Sequence, residues 1–145
     1  MSPPASKPHS DAVISLLTAA SVTVGCGKQP DGSGWQGTPG SSSFDAYAVF
    51  YPFTGQEEPT ALAMPNESLH FQFQLTCVGA VQGQVEALMD DVRAALVGAT
   101  PAVTGRTAFP IYRVELDQTV TRDDAVIPPV HYGVARFHFR SDPPD

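Results

Sequence analysis

Two stretches near the end of the chain, residues 109–120 and 130–140, alternate apolar and polar side chains with a period of two. The segment between them carries Arg122, Asp123, Asp124 and the pair Pro128 and Pro129. Alternation of this kind predicts a β-hairpin with one buried and one charged face. On the first strand Tyr112, Val114 and Leu116 form the apolar set, with Arg113, Glu115 and Asp117 on the other side. On the second, Gly133, Ala135, Phe137 and Phe139 share the core face, and Tyr132, Arg136, His138 and Arg140 share the opposite one. Acidic residues on one strand beside basic residues on the next suit cross-strand pairing. Each exposed pair contributes under about 1 kcal/mol, so the apolar face is expected to hold the hairpin in place.

The rest of the chain supplies partners for that hairpin. Val13, Ile14, Leu16, Leu17 and Ala20 recur at helical spacing behind Ser10, a suitable N-cap, which predicts a helix over 11–20. A short β-branched run at 21–25 predicts a strand, and 26–43, rich in Gly and Ser, predicts a long loop. Residues 45–53 read as a strand, with Pro52 at its end or on an edge. A second loop covers 54–66. In 69–77 the odd positions Leu69, Phe71, Phe73, Leu75 and Cys77 face the core, and His70, Gln72, Gln74 and Thr76 face outward. The period then changes. Val81, Val85, Leu88, Met89, Val92 and Leu96 line one side of a helix over 81–97, with Gly98 as its C-terminal cap. This order predicts an α+β fold, a mostly antiparallel sheet packed on one face against two helices, with long loops. A chain of 145 residues suits one domain, taken as 10–142, with a flexible segment at 1–9 and a short tail at 143–145.

The net charge of −7, with Lys28 the only lysine after Lys7, argues against sequence-specific binding to nucleic acid. No apolar run approaches the roughly 20 residues of a membrane helix, and the first residues lack the pattern of a signal peptide, so a cytoplasmic origin is expected. Cys26 and Cys77 then read most simply as buried thiols, with a disulfide between them disfavoured.

Motifs that would carry chemistry fail on their surroundings. Gly32-Ser-Gly34-Trp-Gln-Gly37 matches the dinucleotide fingerprint in letters, but Thr38-Pro39-Gly40 follows where a helix must begin. Gly25-Cys-Gly-Lys28 lacks the hydroxyl residue and the glycine spacing of a P-loop. His9, His70, His131 and His138 have no second ligand at metal spacing and read as surface or interface residues. Cys77 sits among core-facing positions, which points to packing rather than nucleophilic attack. No catalytic, cofactor-binding or metal-binding residue is therefore assigned. Trp35, the only tryptophan, is either an interface anchor or a lid folded over the sheet.

Helix, strand, long loop, strand pair, helix and a closing hairpin with Tyr112-Arg-Val-Glu-Leu116 and Asp123-Asp-Ala-Val-Ile-Pro-Pro-Val-His-Tyr-Gly133 make up a recognisable layout. It resembles the tail terminator (tail completion) proteins of bacteriophages with long, non-contractile tails, particularly those of phages infecting actinobacteria. The likeness runs from Ser10 to Asp142 and rests on element order, length and the style of the hairpin. Related neck proteins, the head-closure and head–tail joining proteins, share much of it. The resemblance implies a fold shared with tail-tube subunits and a homo-hexameric ring in the virion. That ring would stop growth of the major tail-tube protein and present a surface to the head connector, while DNA passes its lumen without specific binding. Candidate interface residues are Trp35, Glu57, Glu58, Gln72, Gln74, Arg113, Glu115, Arg122, Asp123, Asp124, Arg136, His138 and Arg140. A small ligand-binding domain would show the same alternation, and an enzyme with an unrecognised site is the third class.

Overall fold

The computed structural model describes residues 5–53, 56–58, 68–114 and 120–143. An eight-stranded, mostly antiparallel sheet packs one face against two helices, the expected α+β architecture. In chain order the elements are α1 (Lys7–Ala19), β1 (Val24–Cys26), β2 (Gly34–Trp35), β3 (Phe44–Asp45), β4 (Tyr47–Pro52), β5 (Gln56–Glu58) and β6 (Ser68–Gly79). Then come α2 (Gln82–Leu96), β7 (Thr107–Ala108), β8 (Tyr112–Val114), β9 (Thr121–Asp123) and β10 (Val130–Asp142).

The long strands β6 and β10 form the centre, paired antiparallel from His131 opposite Gly79 to Ser141 opposite Leu69. On the far edge of β6 lie β4 and β5, and beyond β4 lies β1, the one parallel neighbour. β7, β8 and β9 run one after another along the outer edge of β10. β2 and β3 form a separate small ribbon.

Odd positions on both central strands face the helices, as the alternation predicts. Phe73 lies opposite Phe137 and Phe71 opposite Phe139, and all four rings are fully buried. Ring centroids stand 5.5 Å apart in both pairs, and Phe50 continues the stack from β4 at 5.3 Å from Phe73. Burying each such ring contributes about 2–3 kcal/mol. Val85, Leu88, Val92 and Leu96 of α2 and Val13 and Leu17 of α1 close the core above them. Gly133 permits the close approach of α2, since a Cβ there would stand 2.6 Å from Met89 Sδ.

α1 begins at Lys7, earlier than the expected 11–20 span, so Ser10 is no cap and Asp11 instead pairs with Lys7 at 2.9 Å. Pro8 in the first turn lacks only an N–H that the helix would leave unused. The helix ends in a Schellman motif. Ser21 takes a left-handed φ of 61°, its N–H bonds Thr18 O, and Val22 N–H reaches back to Leu17 O. Val22 and Leu17 are both buried, the apolar contact that usually accompanies this motif. The following strand starts later than expected, at Val24.

α2 matches its expected stripe except at Val81, which precedes the helix in extended conformation and is exposed. Its first turn is fixed by Gln84, whose side chain accepts from Ala80 N–H at 2.8 Å and donates to Phe44 O at 2.6 Å. Gly98 ends the helix in left-handed conformation, and its N–H bonds Ile111 O at 2.8 Å.

The expected first hairpin strand departs most from the reading. Between Ala108, opposite Ser141, and Tyr112, opposite His138, the three residues 109–111 face only 139 and 140. One extra residue makes a β-bulge, and a bulge moves every later side chain to the other face. Ile111 therefore fills the core, Tyr112 lies on the face away from the helices beside His138, and Arg113 stands opposite Phe137 on the helix side. The assignment of Tyr112 and Val114 to the core face is corrected by that bulge; Leu116 and Asp117 lie outside the described residues. Glu115 and Asp117, the acidic members of the expected cross-strand pairing, lie outside the described residues. Arg136 faces Val114, while Arg140 bonds Asp142 along its own strand at 2.9 Å.

Candidate interaction surfaces

The second face of the sheet, away from α1 and α2, divides into two parts. One carries a band of cations and aromatic rings. Arg136 lies over the Phe53 ring at 5.2 Å, and Arg140 over Phe109 at 5.4 Å. Tyr112 packs on His138 at 4.8 Å between ring centroids. His138 and His70 meet across the strands, Nε2 to Nδ1, at 3.1 Å. Gln72 is exposed there, and Gln74 is half-buried with a 3.3 Å bond to Thr76 Oγ1.

His138 departs from expectation, being only 6% exposed. Its Nδ1 and the Nε of Arg136 are buried without a hydrogen-bond partner among the described residues. Burial, and after it the neighbouring His70, pulls the His138 pKa below its ordinary value. A neutral ring donating from Nε2 to His70 leaves Nδ1 as a bare acceptor, a cheaper orphan than a buried N–H.

The other part is roofed by the segment 26–46. This segment is more than a loop, because β2 and β3 pair within it, Trp35 opposite Phe44. The Trp35 ring meets Phe44 edge-on at 5.0 Å, and Phe44 stacks on Tyr47 at 6.1 Å. The Trp35 ring lies over this part of the sheet by way of Phe44 and Tyr47. It stays half-exposed at the mouth of a cavity of about 480 Å³, floored by Thr76, Val78 and Tyr132 and walled by Asp123 and Val126. Asp123 Oδ1 accepts from Ala125 N–H at 3.0 Å, and Arg122 is held by Asp124 at 2.7 Å. Next to this wall Ile127 is 91% exposed.

The remaining candidates scatter. Arg113 lies on the helix side, beside Glu86 and Asp90 of α2. Glu57 and Glu58 fall on β5, opposite Leu69 and Ser68, and Glu115 lies outside the described residues. The structure therefore gathers Gln72, Gln74, Arg136, His138 and Arg140 on one surface and sets Trp35 and Asp123 around another.

Cys26, expected as a buried thiol, is exposed at the end of the edge strand β1, while Cys77 lies in the core as its strand position predicts. Cys77 is buried and its thiol is pushed up to about 12 by burial, so it remains an inert apolar group. His9, read as a surface residue, is fully buried and stacked between Phe71 and Phe139. Arg106 Nε donates to Ser141 Oγ at 2.8 Å, the Ser141 hydroxyl donates to His9 Nε2 at 2.6 Å, and His9 Nδ1–H donates to Ala5 O at 2.7 Å. That order fixes a neutral His9, and burial pulls its pKa below the usual histidine range. A signal for this burial was present: His9 precedes Val13 and Leu17 at helical spacing.

No protein-family model matches the chain, and no curated protein matches it. Among solved structures it is similar to a chain of the "Virion of native gene transfer agent (GTA) particle", with a TM-score of 0.57 and 14% sequence identity. The match covers 88% of this chain and 84% of that chain. At that identity the likeness is one of fold.

Proposed function

We propose that this protein is a structural component of a phage-like virion and acts as a tail terminator. The observation that carries this reading is the fold it has in common, over most of both chains, with a chain of a gene transfer agent virion. In this reading the protein works by binding alone. Six copies close into a ring on the last ring of the tail-tube protein, end its growth and offer the opposite surface to the head connector. The contacts between subunits are heterologous, each pairing one side of a copy with a different side of the next. An ordinary interface of this type buries about 800 Å² per partner. The band around Arg136, His138 and Arg140 supplies one such side, because it sets cations on a chain whose net charge is −7. The same acidic balance keeps a passing duplex from adhering to the lumen.

Light scattering and electron microscopy of the purified chain, alone and mixed with assembled tail tubes, test this. Rings seated on tube ends that no longer elongate are the expected outcome. A persistent monomer that leaves tube ends growing sinks the reading, and rings that bind the connector but not the tube move it to a head-closure or joining protein. Arg136→Glu refines the test: the variant is expected to keep its fold and lose the ring. Unchanged assembly would mean that the band is merely solvated.

A further inference from the structure

The cavity beneath the Trp35 roof has a chemistry of its own. Four aromatic residues, Trp35, Phe44, Tyr47 and Tyr132, surround it, and Asp123 is its only charged wall residue among the described residues. Its volume of about 480 Å³ lies within the range of ordinary ligand sites. Asp123 spends one oxygen on Ala125 N–H, and its other oxygen has no hydrogen bond among the described residues. The nearest cation along the chain, Arg122, is held by Asp124 instead. Gln29 Nε2 donates to Ser33 O at 3.1 Å, which leaves the amide oxygen of Gln29 as a second acceptor at the rim.

We infer that this cavity receives an arginine side chain from a partner protein. Aromatic faces attract a cation through the ring quadrupole, and a carboxylate adds a charged acceptor. A guanidinium suits such a place better than an ammonium, because it stacks flat on a ring while its N–H groups point outward in one plane. A purely apolar occupant would cover Asp123 without supplying a donor, which opposes binding. The geometry also explains why the roof is built as a β2–β3 ribbon: Trp35 and Phe44 are paired in register and held over Tyr47.

Trp35, the chain's single tryptophan, reports occupancy directly. The full-length protein is titrated with N-acetyl-arginine amide, following Trp35 emission, and in parallel with N-acetyl-citrulline amide, which keeps the shape and loses the charge. A saturable change with arginine, and binding of citrulline weaker by about tenfold, is expected. Asp123→Asn keeps an acceptor for Ala125 N–H while removing the charge, and is expected to weaken arginine by a similar factor with an unchanged circular dichroism spectrum. If that variant fails to fold, Tyr132→Leu takes its place, with the same expected weakening. Equal saturation by arginine and citrulline, undiminished arginine binding by the variant, or no saturable change would each overturn the assignment. The site stands on the cavity and not on the ring. A monomer that binds arginine leaves it in place, and a ring-forming protein that ignores arginine removes it alone.

Discussion

The two faces of the central sheet solve opposite problems with the same strands. Toward the helices, Phe71, Phe73, Phe137 and Phe139 are sealed under α1 and α2, and the one histidine there, His9, has both ring nitrogens bonded. Away from the helices, the rings lie beside cations, Tyr112 and Phe53 reach solvent, and Arg136 and His138 bury nitrogen atoms that have no hydrogen-bond partner among the described residues. The first face is complete as it stands. The second retains bonding capacity that the described residues leave unmet.

The largest effect expected from breaking this contrast is that of Phe137→Ala, which empties the middle of the phenyl stack. It should cost about 3–5 kcal/mol in a urea titration. A loss below about 1 kcal/mol would mean that the helix-side core is not the main support. His9→Ala comes next, at about 2 kcal/mol, because it removes a packed ring and leaves Ser141 and Ala5 short of a partner.

Acid then distinguishes the faces, since each buries one neutral histidine. His9 and His138 both titrate below the ordinary 6.5. Above that value neither folded nor unfolded chain carries the extra proton, and stability is full. As pH falls below it, the unfolded chain takes up protons that the folded chain resists, so stability drops until pH passes the folded values. Thermal midpoints at about pH 7.5 and about pH 5.5 should show the decline, and His9→Phe should remove the part due to the helix side. Midpoints that rise on acidification would refute the neutral assignment for both rings.

The smallest effects belong to the second face. Arg136→Glu should cost about 1 kcal/mol, the worth of one half-buried stack on Phe53, while any assembly it supports is lost. Ile127→Ser should lie within about 0.5 kcal/mol of the parent by the same titration. A larger loss there would show that the 124–129 segment helps hold the fold and is not simply displayed.

What could be read from residue order follows the same division. β6, β10 and α2 were legible because one face of each is buried throughout, so burial imprints a period on the residues. The stretch after Phe109 was not, because its period is broken by a bulge that only the partner strand reveals: the pattern of Tyr112, Val114 and Leu116 is regular, yet its phase is displaced. His9 was missed for a different reason. An ionisable side chain is ordinarily placed outside, and the hydroxyl of Ser141 that allows its burial comes from the far end of the chain. The Trp35 roof was only half legible, since the sequence of 26–43 shows glycines and serines but not the β2–β3 pairing that aims the ring.

The bond between His9 and Ser141 joins positions 132 apart in sequence, and β10 touches β6, β7, β8, β9 and α2. On the ribosome, the strand that every one of these elements needs is translated after all of them. Until residues 130–142 leave the exit tunnel, β6 has one long edge bare and α1 has no seat for its histidine. Folding of these elements therefore waits for residues 130–142, and a nascent chain halted before Val130 would expose the phenyl rows as a chaperone substrate.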